Sequence, residues 1–277
     1  MQLLHSATRN YSWGSRTLIP HLQGQPDSDK PVAELWFGAH PGDPSTVDGR
    51  LLNEVIAEDP AGQLGGRVSA EYGERLPFLL KVLAAEEPLS LQAHPSKAQA
   101  EEGFARENAA GIELTASNRN YKDDNHKPEL IVALTDFYAM AGFRPLARTR
   151  ELFAALECPE LDHYVAMLDD DPSATTESAN LRVLFTTWIT IPSAKRKELI
   201  SAIVAAGERL IAADPADWKS RVMSTVLDLN QRYPGDIGVL GALLLNHIEL
   251  SPGEAVYLDA GQLHAYVSGL GVEIMAN

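Results

Sequence analysis

The hydrophobic pattern of this chain changes period twice. Up to about position 148, short apolar runs such as Ala33-Glu34-Leu35-Trp36-Phe37 and Phe78-Leu79-Leu80-Lys81-Val82-Leu83 alternate with Gly, Pro, Asp and Asn, which reads as strands and turns with occasional helix. From Thr149 the spacing lengthens. Leu199, Ile200, Ile203, Val204, Leu210 and Ile211 recur three and four apart, giving one apolar helical face, and helices are expected to dominate to Asn230. Asp169-Asp170-Asp171-Pro172-Ser173, Asp214-Pro215 and Tyr233-Pro234-Gly235 mark breaks within or after this block. Strand-like composition then returns in Ala255-Val256-Tyr257-Leu258 and His264-Ala265-Tyr266-Val267, around the turn Asp259-Ala260-Gly261-Gln262. A β, α, β order predicts a mainly β protein whose two flanking pieces complete one sheet system, with a helical insert of about 80 residues. The expected domains are 1–148 with 234–277, and 149–233.

Two finer readings follow. Leu130-Ile131-Val132-Ala133-Leu134 and Phe137-Tyr138-Ala139-Met140-Ala141 flank Thr135-Asp136 and read as a hairpin. Ser268-Gly269-Leu270-Gly271 reads as a turn, because the Lys-Ser/Thr that a phosphate loop requires does not follow it.

With 277 residues, 45% of them hydrophobic, the chain can bury a sizeable core. Its 38 acidic and 23 basic residues give a net charge of -15, which disfavours nucleic acid and anionic membrane as partners. An anionic substrate would need a local basic pocket. Cys158 is the single cysteine, so an internal disulfide and a cysteine-based metal site are excluded, and it is read as a small apolar residue. No basic n-region with an apolar h-region opens the chain, and no apolar run approaches a membrane span, so a soluble cytoplasmic protein is expected.

Four residues suit one divalent metal: Gln92 and His94 in Leu91-Gln92-Ala93-His94-Pro95, Glu129 in Asn125-His126-Lys127-Pro128-Glu129, and His264. Zinc takes nitrogen and oxygen donors in a four-coordinate shell, and a catalytic site keeps a position for water or substrate. In an extended segment Ser90, Gln92 and His94 share one face, and Lys127 projects with Glu129, where a metal's charge would favour the neutral amine and so a base. A carboxylate that starts a buried strand, as Glu129 does, is costly unless paired or metal-bound. Lys81, inside an apolar run, either snorkels outward or meets an anion. Gly253, Asp259 and His264 stand six and then five apart, as in the second cupin motif Gly-x5-Pro-x4-His, with Asp259 in the proline position.

Taken in order, Asn10-Tyr11-Ser12-Trp13-Gly14, Ala33-Glu34-Leu35-Trp36-Phe37-Gly38-Ala39-His40-Pro41, Leu76-Pro77-Phe78-Leu79-Leu80-Lys81-Val82-Leu83, Ser90-Leu91-Gln92-Ala93-His94-Pro95, the 120–129 segment and the 257–266 segment resemble the type I mannose-6-phosphate isomerases. The resemblance implies a cupin-type β-barrel (jelly roll) with an inserted helical domain, without the family's second cupin domain. It implies zinc on Gln92, His94, Glu129 and His264, and interconversion of mannose and fructose 6-phosphates through a cis-enediol. Lys127 is implied as proton carrier and His126 as helper in ring opening, with Ser90, Lys81, Tyr266 and Glu273 lining the pocket. Lys81, Lys127 and Arg144 are the nearest candidates for a phosphate-binding patch. The expected partner is a small hexose 6-phosphate, bound by a monomer. The family's catalytic arginine follows the last residue here, Asn277, so the alternative expectation is a metal- and sugar-phosphate-binding fragment without turnover. An iron-dependent cupin oxygenase is disfavoured by Gln92.

Overall fold

A computed structural model describes residues 2–168 and 174–277. The chain forms two compact units, Met1–Ala139 with Ile248–Asn277, and Met140–His247. In chain order the strands are β1 (Leu4–His5), β2 (Ala7–Arg9), β3 (Glu34–Phe37), β4 (Thr46–Val47), β5 (Arg50–Leu51), β6 (Phe78–Ala85), β7 (Glu129–Ala133), β8 (Phe137–Phe143), β9 (Leu245–Leu250), β10 (Ala255–Leu258) and β11 (His264–Ala276). The larger sheet runs β10-β7-β11-β6-β3-β2, with β8 pairing β11 and β9, and β1-β4-β5 form a small second sheet. Among the described residues β10 and β2 do not pair with each other, so the fold is a mixed sheet-and-helix system without a closed ring of hydrogen-bonded strands.

Register decides which side chains meet. Trp36 stands opposite Lys81, Lys81 opposite Glu273, and Glu273 opposite Ile131. Because neighbours along a strand face opposite ways, Leu35 and Val82 point to the other side of the sheet. They pack there with Ile19 of helix Leu18–Leu22, Ala84 and Leu270. Ile19 is fully buried, a contribution of roughly 2 kcal/mol from its side chain alone.

The expected hairpin does not form. Both strands exist, but β7 pairs with β10 and β11, and β8 with β11 and β9. A two-residue hairpin turn needs left-handed backbone at its centre, and neither Thr135 nor Asp136 has positive φ. The link is instead pinned to β11: Leu134 N–H donates to Leu270 O at 2.8 Å, and Leu270 N–H donates to Thr135 Oγ1 at 3.0 Å. Gly269 makes this approach possible. Its φ is +124°, and a Cβ there would lie 2.7 Å from Asp136 O. The 268–271 segment is thus the interior of a long strand and not a turn.

The first half also holds more helix than expected, at Leu52–Glu58, Pro60–Leu64, Gly66–Tyr72 and Lys97–Ala109. The last of these starts at a capping box, with Ser96 N–H donating to Gln99 Oε1 at 2.9 Å and Gln99 N–H to Ser96 Oγ at 3.4 Å. Ser96-x-x-Gln99 was a legible start signal.

In the second unit, helix Ser193–Ala213 buries Leu199, Ile200 and Ile203 on its apolar face. It stops at Asp214, and Asp217 caps helix Trp218–Arg232 by accepting from Lys219 N–H at 2.7 Å. The break read at 169–173 lies outside the described residues. No helix among the described residues is long and apolar enough to cross a membrane.

Arg144 does not serve as a free cation. It is 5% exposed and donates to Leu243 O at 3.1 Å and Leu245 O at 2.7 Å. Its guanidinium also lies 5.4 Å from the Trp218 ring centroid. Asn246 Nδ2 donates toward the carbonyls of Ala141, Gly142 and Phe143, and His247 Nε2 lies 3.1 Å from Ala242 O.

Candidate metal centre

Two strand starts and one loop bring the predicted ligands together in the first unit. Glu129 opens β7 at 4% exposure, and His264 opens β11 at 2%. His94 comes from the segment after β6, which is tied to β11 by two reciprocal backbone bonds of 2.9 Å between Gln92 and His264. A further bond of 2.6 Å, from Gly261 N–H to His94 O, holds the turn before β11 against the same segment.

His94 Nε2 lies 3.0 Å from Glu129 Oε1, and His264 Nε2 lies 3.1 Å from Glu129 Oε2. One ligand atom from each of His94, Glu129 and His264 lies within 4.8 Å of the others. His94 Nε2, His264 Nε2 and Glu129 Oε2 are buried without a hydrogen-bond partner. Buried polar atoms are rarely left in this state unless another ligand completes them. His264 Nδ1 lies 2.9 Å from Gln262 O, and a carbonyl can only accept, so Nδ1 carries a proton and in the neutral ring the Nε2 lone pair faces the cluster. That outer contact is the usual way a metal-binding imidazole is oriented. The donor set therefore fits a borderline-soft divalent cation such as zinc.

Burial pushes the Glu129 carboxyl up, but the imidazoles of His264 and His94 outweigh it and lower its pKa to about 2. The carboxylate is ionised and ready to bind a cation. Burial works against protonation of His264, while Glu129 and the Gln262 carbonyl offset it and raise its pKa.

Beside this cluster lies a second set of buried charges. Lys81 does not snorkel; its Nζ lies 2.9 Å from Glu273 Oε2 and 3.6 Å from Glu34 Oε1. Glu273 Oε1 accepts from Tyr266 Oη at 2.7 Å, and the Tyr266 and His264 rings are 6.1 Å apart. Burial opposes the charge on Lys81, yet Glu273 and Glu34 raise its pKa, keeping an ammonium. Burial likewise pushes the Tyr266 hydroxyl well up, so it remains a donor.

The remaining predicted residues stand further out. Lys127 is half-buried and its Nζ lies 2.8 Å from Asp123 Oδ2. His126 and Ser90 are exposed, and Gln92 is half-buried on the bridge to His264. Glu34 was missed as a partner of Lys81, although an acidic residue in the apolar run 33–37 carried the same signal as Lys81. Asp123, partner of Lys127 at i,i+4, was legible from its spacing.

The family model described as phosphomannose isomerase type I, catalytic domain, matches residues 1–146. Mannose-6-phosphate isomerase of Escherichia coli (strain K12) is 39% identical over 285 aligned residues, which take in all of this chain and 68% of that protein. Mannose-6-phosphate isomerase 1 of Arabidopsis thaliana is 33% identical, over all of this chain and 65% of that protein. The crystal structure of mannose 6-phosphate isomerase from Salmonella typhimurium bound to substrate (f6p) and zinc superimposes with a TM-score of 0.86 at 37% identity, over all of this chain and 68% of that one. With the aligned length and the buried donor cluster in agreement, this chain belongs to the type I phosphomannose isomerase family of enzymes.

Proposed function

We propose that this chain interconverts mannose 6-phosphate and fructose 6-phosphate with one zinc ion held by Gln92, His94, Glu129 and His264. The observation that carries the reading is the convergence of His94 Nε2, His264 Nε2 and Glu129 Oε2, buried and without hydrogen-bond partners. When bound, zinc supplies Lewis acidity and a template for the sugar oxygens. The protein's own groups do the rest. Lys127, beside Glu129 in sequence, moves the proton between C1 and C2 through a cis-enediol, and His126 assists ring opening. Ser90, Lys81, Tyr266 and Glu273 line the pocket, where the hydrogen bond from Tyr266 to Glu273 fixes one wall and excludes loose water.

The same reading places these residues in a cupin-type jelly roll formed by 1–148 and 234–277, with 149–233 as a helical insert, in a cytoplasmic monomer. A second reading, binding of metal and sugar phosphate without turnover, draws on the engagement of Lys127 by Asp123. One assay separates them. Conversion of mannose 6-phosphate is followed in a coupled assay before and after chelation, with zinc added back, alongside His264→Ala. Loss on chelation, recovery with zinc and loss in the variant are expected. Turnover indifferent to both treatments would overturn the metal mechanism, and sugar-phosphate binding without turnover would select the second reading.

A further inference from the structure

Glu34 is a buried carboxylate that the proposed chemistry does not use. It lies on β3 at 5% exposure, next to the strand that carries Lys81. Its Oε2 accepts from Trp36 Nε1 at 2.8 Å, and its Oε1 faces Lys81 Nζ at 3.6 Å. From the other side Glu273 reaches Lys81 at 2.9 Å, and the Trp36 ring centroid lies 5.8 Å from the same ammonium. Two carboxylates therefore enclose one ammonium. Glu273 alone would neutralise Lys81, and a second buried carboxylate is expensive to desolvate. Burial indeed pushes the Glu34 carboxyl up, with Lys81 and Trp36 offsetting part of the rise.

Position explains what charge balance does not. A lysine ends a flexible four-carbon stem and has no preferred direction of its own. The indole N–H fixes one Glu34 oxygen, and the other then limits where Lys81 Nζ can sit. Glu273, held between Lys81 and the Tyr266 hydroxyl, is limited in turn. We propose that Glu34 is a positioning residue: oriented by Trp36, it holds the Lys81 ammonium against Glu273 and so fixes the Glu273–Tyr266 wall of the pocket beside His264. The inference deepens the isomerase reading and rests on it for its effect on turnover. The charged groups around Lys81 are Glu34 from β3, Glu273 from β11 and, further off, Glu129 from β7; the Lys81 charge also reaches His40.

The test measures Lys81 itself. The full chain, Glu34→Gln and Glu34→Asp are labelled with acetic anhydride across pH, and the peptide holding Lys81 is read by mass spectrometry. Loss of a carboxylate this close raises the rate of Lys81 labelling at a given pH about tenfold or more in Glu34→Gln, with most of the shift reversed in Glu34→Asp. Zinc-dependent conversion of fructose 6-phosphate falls about tenfold in Glu34→Gln and partly recovers in Glu34→Asp at unchanged zinc content. Identical Lys81 labelling in wild type and Glu34→Gln overturns the proposal, whether or not the wild type turns over. A zinc-loaded wild type without conversion, together with shifted labelling, overturns only the isomerase reading. Should Glu34→Gln fail to fold, Trp36→Phe decides, since it keeps both charges and frees the carboxylate. A smaller shift in the same direction supports the proposal, and no shift overturns it.

Discussion

Glu129 with its two histidines and the Arg144-Asn246-His247 group are polar clusters built around a buried charged residue, one in each unit, and they are completed differently. The hydrogen bonds that the second group's side-chain nitrogens make all go to backbone carbonyls, so its polar atoms are satisfied within the fold. In the first, three inward-facing atoms have no hydrogen-bond partner, although each imidazole nitrogen lies within ion-pair distance of a Glu129 oxygen. Burial alone therefore does not mark a functional site. An unfinished set of donors does, because its desolvation cost is recovered only when something binds.

The strongest way to break this contrast is Glu129→Gln, which keeps the shape of the side chain and removes its charge. Zinc affinity should fall by at least about a hundredfold, since a ligand matters more than the outer contacts that orient it. Metal content after dialysis, measured against wild type, checks this. Retention of zinc at the wild-type level would place the ion elsewhere.

Arg144→Met probes the closed cluster. It should leave metal content untouched and lower stability by about 3 kcal/mol, because the carbonyls of Leu243 and Leu245 lose a buried charged donor. Urea unfolding gives the number. A change below 1 kcal/mol, on the order of one ordinary neutral bond, would mean that water reaches these carbonyls.

A pH series sharpens the same comparison. Burial lowers the pKa of His247 from 6.5 to about 4, so the native imidazole is neutral where the unfolded one takes up a proton. The stability tied to this group is fully present above pH 6.5 and is lost as pH falls toward 4. Between about pH 7.5 and about pH 5 the loss should be about 2 kcal/mol more in wild type than in His247→Gln. Parallel pH slopes for the two proteins would refute the assignment.

The sequence exposed the metal centre better than the sheet around it. His94, Glu129 and His264 were legible because donor chemistry and local motifs are properties of short segments. Glu129 was legible for a second reason, as an acid at the start of a buried strand. Lys81 was only half legible: its position required either an escape to solvent or an anion, and the anions, Glu34 and Glu273, arrive from strands on either side of it. Arg144 was misassigned for the related reason that its acceptors lie a hundred residues away, at the Leu243 and Leu245 carbonyls. The strands β7 and β8 were found, but their pairing was not, since turn residues report a chain reversal only when the backbone can adopt it.

That mistaken hairpin leads to the smallest effect. Thr135 Oγ1 accepts from Leu270 N–H and so replaces a bond that regular pairing would have supplied where β7 gives way to β8 along β11. Thr135→Val keeps the branched shape and removes the acceptor, at a cost of about 1 kcal/mol. Hydrogen exchange at the Leu270 amide should quicken about fivefold while zinc content and the His264 segment stay unchanged. If zinc affinity fell with it, the junction would be part of the metal centre's support.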